Sequence, residues 1–301
     1  MRLSVSFSGF APISASLHVA ERAEHAGLDG AWYCEHIGFH DAVVPAALML
    51  DRFPGLDVGI VGTAPVSRHP ALLAMELGSL AELGPGRVRA QLGLGDARLV
   101  GRIGGVANSL QVVREYVEAT RRCLAGEPLD GQWANHVFDS FRRAPAPAPP
   151  ALDVMAIRPR MLELAAEIAD GVSLSTGASA AYLAETVERV ERALEKHGRP
   201  RDSFRITAQA FGCIAESTAE AVARITPTFR IFSPQVLALL APGLDPETDA
   251  AQMAIACGAG DLAERLDAYR RAGVDEIAID LAQNPDEIDD ALAAFAAARD
   301  A

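Results

Sequence analysis

Cysteine is scarce in this chain of 301 residues, and the four present, Cys34, Cys123, Cys213 and Cys257, form no Cys-x-x-Cys pair. That leaves little support for a disulfide framework or a zinc knuckle and suits a reducing, cytoplasmic setting. Basic residues are outnumbered, with 27 Lys and Arg against 40 Asp and Glu and a formal charge of −13. A nucleic-acid backbone would meet long-range repulsion, so nucleic acid is not an expected partner. No stretch reaches the roughly 18 uninterrupted apolar residues of a membrane span, and no membrane association is expected. The opening "MRLSVSFSGFAPISASLHVA" faintly mimics a signal peptide, but serines interrupt its apolar part and it alternates like a strand, as which we read it. Aromatic residues are also few, at 6%, whereas half of all residues are hydrophobic and alanine abounds, a composition for close packing of helices on a sheet.

What the chain does contain is a repeat of short apolar strand, polar or glycine turn and amphipathic helix. Candidate strands span 3–7, 30–34, 57–62, 87–92, 152–156, 171–175, 204–211 and 276–280, and they read as nearly continuous apolar runs, as parallel strands covered on both faces do. Between them "LHVAERAEHAG" stops at Gly27 and "VVREYVEATRRCLAG" at Gly126, in the place of C-terminal glycines. Ser217 with Glu220, Asp261 with Glu264 and Asn284 with Glu287 have capping-box spacing. Length alone would fit two domains or one, but eight repeats favour closure into an α/β fold, a (β/α)8 TIM barrel forming a single domain over 1–301. Two stretches depart from the repeat. Residues 127–150, ending "APAPAPP", are expected to be an extended insertion after the fourth helix. Residues 226–258 are longer than a normal connection, and extra short helices are expected there after the seventh strand.

In such a barrel the loops at the C-terminal strand ends build the site. Strand by strand they offer Ser8; Glu35 and His36; Thr63, Ala64 and Pro65; Gly93, Gly95 and Asp96; Arg158 and Arg160; Ser175, Thr176 and Gly177; and, after the eighth, Asp280 and Gln283. A histidine at a strand end can move protons near neutral pH, although His36 could equally serve a tight junction through hydrogen bonds. Glu35, His36, His40 and Asp41 could also be read as a metal cluster, but their spacing matches no ligand motif, and we expect no metal. "QLGLGDA" lets the backbone approach a flat or phosphorylated ligand, or is a simple turn. It is not a dinucleotide fingerprint, because position 98 is arginine and the next helix is expected only near Ser109. "AIRPRMLELAAEIADG" sets Arg158 and Arg160 around a proline that opens a helix, which is either an anion site or a plain helix start with solvated arginines.

Taken in order, "AEHAGLDGAWYCEH", "VGTAPVSRHPALLAMELGSLAELGPGRVRAQLGLGD", "REYVEATRRCLAGE" and "PRMLELAAEIADGVSL" resemble the luciferase-like monooxygenase superfamily, over roughly residues 15 to 180. "TAPVSRHP" and "GLGD" look most like the branch of coenzyme F420-dependent oxidoreductases that resemble methylenetetrahydromethanopterin reductase. The resemblance implies a (β/α)8 barrel whose mouth holds the deazaflavin F420, or FMN as the alternative, and hydride transfer between that ring and a small organic substrate. It implies His36 as acid or base with Glu35 as neighbour or substitute, and Thr63, Ala64 and Pro65 pressed against the ring. Asp96, with the loop from Gly93 through Gly95 to Ala97, would contact ring or tail, and Arg158, Arg160, Ser175, Thr176 and Gly177 would hold the phosphate end, with Ser8 on the same rim. Arg68 and His69 would brace the third junction while Pro70 starts a helix, and a strained peptide, a cis bond among the options, is implied near Val61 and Gly62. Ala64 stands where that branch usually has asparagine, Ala97 where a serine is common, and "AIRPR" replaces a serine-glycine-proline turn. An FMN-dependent monooxygenase and a barrel that binds a ligand without catalysis are therefore the competing readings. By the same resemblance the protein is expected to form a homodimer.

Overall fold

Eight parallel strands close on themselves in the computed structural model, which describes residues 1–95, 97–104, 109–232 and 234–299. The strands are β1 (Arg2–Phe7), β2 (Gly30–Cys34), β3 (Asp57–Thr63), β4 (Val88–Leu92), β5 (Leu129–Trp133), β6 (His136–Phe141), β7 (Ala151–Ala156), β8 (Gly171–Leu174), β9 (Arg205–Ala215), β10 (Ile255–Gly258) and β11 (Glu276–Leu281). Pairing runs β1–β2–β3–β4–β7–β8–β9–β11 and back to β1, every step parallel, which makes a TIM barrel. The short β10 extends this sheet along the far end of β9, and β5 with β6 stand apart as an antiparallel hairpin. Around the cylinder lie α1 (Ile13–His25), α2 (Val43–Arg52), α3 (Pro70–Leu83), α4 (Ala97–Arg102), α5 (Leu110–Ala125), α6 (Pro159–Ile168), α7 (Ala180–Lys196), α8 (Thr218–Ile225), α9 (Pro234–Leu240), α10 (Pro246–Met253), α11 (Leu262–Arg271) and α12 (Ile288–Arg299). Ser109, Ser179 and Ser217 cap α5, α7 and α8 by accepting backbone N–H groups. Among the described residues no helix is long and apolar enough to cross a membrane.

Three expectations need correction. The insertion at 127–150 is not simply extended, because residues 129–141 form the β5–β6 hairpin. Its two-residue turn, Ala134 (φ 51°) and Asn135 (φ 67°), has the doubly positive φ that matches the twist of paired strands. The Glu115 carboxylate accepts the Ala134 N–H at 2.8 Å and so helps an alanine hold that conformation. A short helix, α4, precedes the expected start at Ser109. Near Val61 and Gly62 there is no cis peptide; the strain takes the form of a register shift between Val61 and Thr63, with Gly62 at φ +93°. The stretch 226–258 holds the expected short helices, α9 and α10, and also β10.

Inside the barrel the polar residues fall into tiers. Near the N-terminal end Arg89 pairs with Asp153 at 2.5 Å and Arg205 with Glu276 at 3.3 Å. Glu276 also accepts the Ser4 hydroxyl at 2.6 Å and the Trp32 indole N–H at 2.8 Å. Above them lies an apolar plug of Trp32, Val61 and Ala278, packed by Cys34 and Met155. Trp32 fits only because residue 59 is glycine: a Cβ there would lie 1.9 Å from the indole ring. A second chain crosses towards the mouth, where Ser6 donates to Gln209 and Gln209 to Gln91, both at 3.1 Å.

Candidate active site

The C-terminal strand ends form one mouth, and its best-defined part is the junction 63–70. The bulge in β3 lets the Val61 carbonyl accept the Glu35 N–H at 2.7 Å, and a Cβ on Gly62 would come within 3.2 Å of the Glu35 carbonyl oxygen. Thr63 is fully buried, and its hydroxyl has no partner among the described residues. Ala64 is buried beside it, and Gly95, at φ +78°, approaches so closely that a Cβ would sit 3.2 Å from Ala64 Cβ and 2.7 Å from Val100. The Ala64 carbonyl accepts the Ser67 N–H and hydroxyl at 3.0 and 2.9 Å. The Pro65 carbonyl accepts from His136 Nε2 at 2.7 Å, so the hairpin clasps the junction from outside.

The arginine and histidine of this junction support it from behind. Arg68 lies 2.8 Å from Glu35 and 3.1 Å from Glu76, with its backbone carbonyl accepting the Tyr116 hydroxyl at 3.0 Å. Burial works against the Arg68 charge, but the two carboxylates more than offset it, and its pKa moves up. His69 is the N-cap of α3: Nδ1 accepts the Ala71 N–H at 3.1 Å, which leaves Nε2 to donate to the Val137 carbonyl at 3.3 Å. Pro70 then opens the helix.

Glu35 is thus held in an ion pair with its side chain 8% exposed, a position suited to bracing β2 against α3 rather than to exchanging protons. His36 turns the other way. Its Nδ1 lies 3.2 Å from the Gly9 N–H and 3.3 Å from the Cys34 carbonyl, and the Phe10 ring stacks at 4.2 Å. Phe39 meets Phe10 edge-on at 4.6 Å, and both phenylalanines are exposed. Ser8 turns the chain here, its hydroxyl accepting the Phe10 N–H at 3.3 Å. His40 is tied to the Gly9 carbonyl at 2.8 Å, and among the described residues no set of side chains could hold a metal ion.

On the opposite rim Arg158 is the N-cap of α6, with Pro159 at its first turn, and both Arg158 and Arg160 are exposed with no ion pair among the described residues. Two guanidinium groups at a helix N-terminus, without an ion pair among the described residues, make a fit for an anion. The next loop carries Ser175, Thr176 and Gly177; Gly177, at φ +89°, lies under Phe229 and Leu237 of the 226–258 excursion. Gly93 lies against Met155, where a Cβ would come within 3.3 Å. Asp96 lies outside the described residues, and Ala97 begins α4.

Several mouth residues lack any sequence motif. Asp280, next to last in β11, lies on its inward face as register partner of Ser6 and Phe211, and no donor or cation among the described residues reaches its carboxyl. Burial raises its pKa from 3.8 to about 6. Cys34 lies close by, 3.8 Å from the Ser6 hydroxyl, its thiol pushed up to about 12 by burial and by the nearby Asp280 charge. Gln283 is occupied elsewhere, exchanging hydrogen bonds with the Ile214 backbone.

The family model for luciferase-like monooxygenases matches residues 3–300. The chain belongs to that family. Its members are enzymes, and this one is an oxidoreductase. The 5,10-methylenetetrahydromethanopterin reductase of Methanolobus tindarius is 26% identical over 257 residues, 83% of this chain and 77% of the relative. The fold superposes on the coenzyme F420-dependent tetrahydromethanopterin reductase from Methanopyrus kandleri with a TM-score of 0.82 at 18% identity, covering 98% and 97% of the two chains. It superposes on a monooxygenase from Streptomyces bottropensis with a TM-score of 0.80 at 22% identity, covering 99% and 98%.

Proposed function

We propose that this luciferase-like barrel, one domain throughout, transfers hydride between coenzyme F420 and a small organic substrate in the cytoplasm. The observation that supports it most is the β3 junction: a bulge at Gly62, a buried Thr63 hydroxyl without a partner among the described residues, and Ala64 so close to Gly95 that only a glycine fits there. Small side chains with one polar group, at a junction of this kind, suit contact with a flat tricyclic ring that has one polar edge. Arg158 and Arg160 at the α6 N-terminus, with Ser175, Thr176 and Gly177, suit a phosphate at the far end of the same molecule. Thr63, Ala64 and Pro65 would orient the ring, Gly93 and Gly95 would let the backbone approach it, and the bound deazaflavin would supply or accept the hydride. His36, beside the aromatic pair Phe10 and Phe39, is the histidine positioned to meet substrate. The four free thiols suit a reducing compartment.

Titrating the purified chain separately with oxidised F420 and with FMN, followed by fluorescence and by retention through gel filtration, tests this reading. Retention of F420 is expected. Retention of FMN alone would replace it with the flavin monooxygenase reading, and retention of neither with a barrel that binds some other ligand. For assembly we propose a homodimer through α3, whose Leu72, Met75 and Leu83 are exposed along one stripe. Met75→Glu should halve the mass measured by light scattering; an unchanged mass would refute that face.

A further inference from the structure

The mouth divides into two contiguous arcs of unlike chemistry. The arc of β3, β4, β7 and β8 offers small residues, glycines and unpaired arginines. The arc of β9, β11, β1 and β2 offers Gln209, Asp280, Ser6, Cys34 and His36 under the exposed rings of Phe10 and Phe39. Building on the hydride-transfer reading, we propose that the second arc receives the substrate and that Asp280 is the catalytic residue exchanging a proton with the substrate heteroatom. Three observations support it. Asp280 shares the inward face of β11 with Glu276, but whereas Glu276 is claimed by Ser4, Trp32 and Arg205, the Asp280 carboxyl has no such partner. Among the described residues the other carboxylate that the strand ends bring to the rim, Glu35, is committed to Arg68. The groups around Asp280 keep it able to change charge: Ser6 from β1, Phe211 from β9 with Gln209 bonded to Ser6, and Cys34 from β2, with His36 beyond it. Of these only Cys34 and His36 titrate, and the thiol stays neutral near pH 7.

In the reducing direction a polarised C=X bond of the substrate gains hydride at carbon, and X takes the proton from the Asp280 carboxyl. The substrate thereby gains two electrons and two hydrogens, the reduced cofactor loses hydride, and the carboxylate recovers its proton from water. In the oxidising direction the same carboxylate accepts the proton. A carboxyl that burial alone raises to about 6 exchanges its proton readily near neutral pH, which matches it to that step.

The test uses the full chain with 13C-labelled aspartate, the variant Asp280→Asn to identify the resonance, and F420 as probe. In the free protein the Asp280 carboxyl should titrate well above the exposed aspartates, and oxidised F420 should shift that titration. Asp280→Asn should bind F420 within about threefold of the parent, yet pass hydride from reduced F420 to menadione about 100-fold more slowly and without the parent's pH limb. A carboxyl that titrates with the exposed aspartates, that ignores F420, or whose loss leaves rate and pH profile intact overturns the proposal. A chain that binds F420 but reduces no menadione leaves the decision to the titration and its response to F420. Failure of the parent to bind F420 overturns the underlying reading instead, and the free-protein titration still reports whether burial raises the Asp280 carboxyl.

Discussion

Replacing Arg68 with methionine keeps the apolar stem and removes the charge that joins Glu35 to Glu76. The side chains are 15%, 8% and 31% exposed respectively. Removing one partner of a fully buried pair costs about 3–5 kcal/mol. Glu76 keeps some water, so discounting gives about 2–4 kcal/mol at pH 7. For a chain of this size that lowers Tm by roughly 3–6 °C. The deficit should also depend on pH. Burial already raises the Glu76 pKa and Arg68 holds it down, so without Arg68 it rises further above its unfolded value, and the penalty is full above that folded pKa and fades as pH falls towards about 4.3. Urea unfolding of both proteins at pH 5 and pH 8 measures this, and the gap should be wider at pH 8. Glu35→Gln in the Arg68→Met background should recover about 1–3 kcal/mol, the coupling of the pair. A loss below about 0.5 kcal/mol at pH 8, or one insensitive to pH, would refute the bracing role. Full stability with lost turnover would make Arg68 a group of the reaction instead.

Asp280→Asn should raise stability at alkaline pH. The folded pKa of about 6 against 3.8 makes burial of the carboxylate cost about 1–3 kcal/mol, after discount for partial exposure. That stability is present in the parent below pH 3.8 and lost as pH rises through 6, so the variant's advantage should appear between those values in urea midpoints and be absent at pH 4. Arg158→Gln with Arg160→Gln should leave unfolding unchanged, since neither arginine has an ion-pair partner among the described residues. It should weaken F420 about 10–100-fold at low salt and less at high salt, as fluorescence titration would report.

The closed barrel is legible because its strands are apolar on both faces and end sharply. β2 is read to the residue, and β1, β3, β4, β7, β8 and β11 to within one residue at either end. β9 runs four residues past its expected end because β10 pairs with 212–215, and the partner that extends it arrives only at Ile255. The hairpin is hidden by a turn of Ala134 and Asn135 in place of a glycine signal, held by a carboxylate far back in α5. At the site, the residue types on each loop could be read but their partners could not. Nothing near Glu35 in the chain announces Arg68, and "AIDLAQN" gives no sign that Asp280 faces Ser6 and Cys34 rather than a cation.

That last difference follows from how the barrel distributes its charge. The inward arginines, Arg89 and Arg205, lie in the N-terminal tier and are taken there by Asp153 and Glu276. Arg68 stands outside the cylinder between β2 and α3, and Arg158 and Arg160 face solvent across the mouth. Between the lower ion pairs and Asp280 come the Trp32–Val61–Ala278 plug and the neutral chain of Ser6, Gln209 and Gln91. A carboxyl set above an apolar layer, with amides and hydroxyls for neighbours, is penalised for its charge without being compensated for it. Placing a cation in that upper tier should reverse the effect. Phe211, the register partner of Asp280 on β9, is the position for it: Phe211→Lys should drop the carboxyl back towards the ordinary aspartate range in the NMR titration and abolish its response to F420, whereas an unmoved resonance would show that the isolation of Asp280 arises elsewhere.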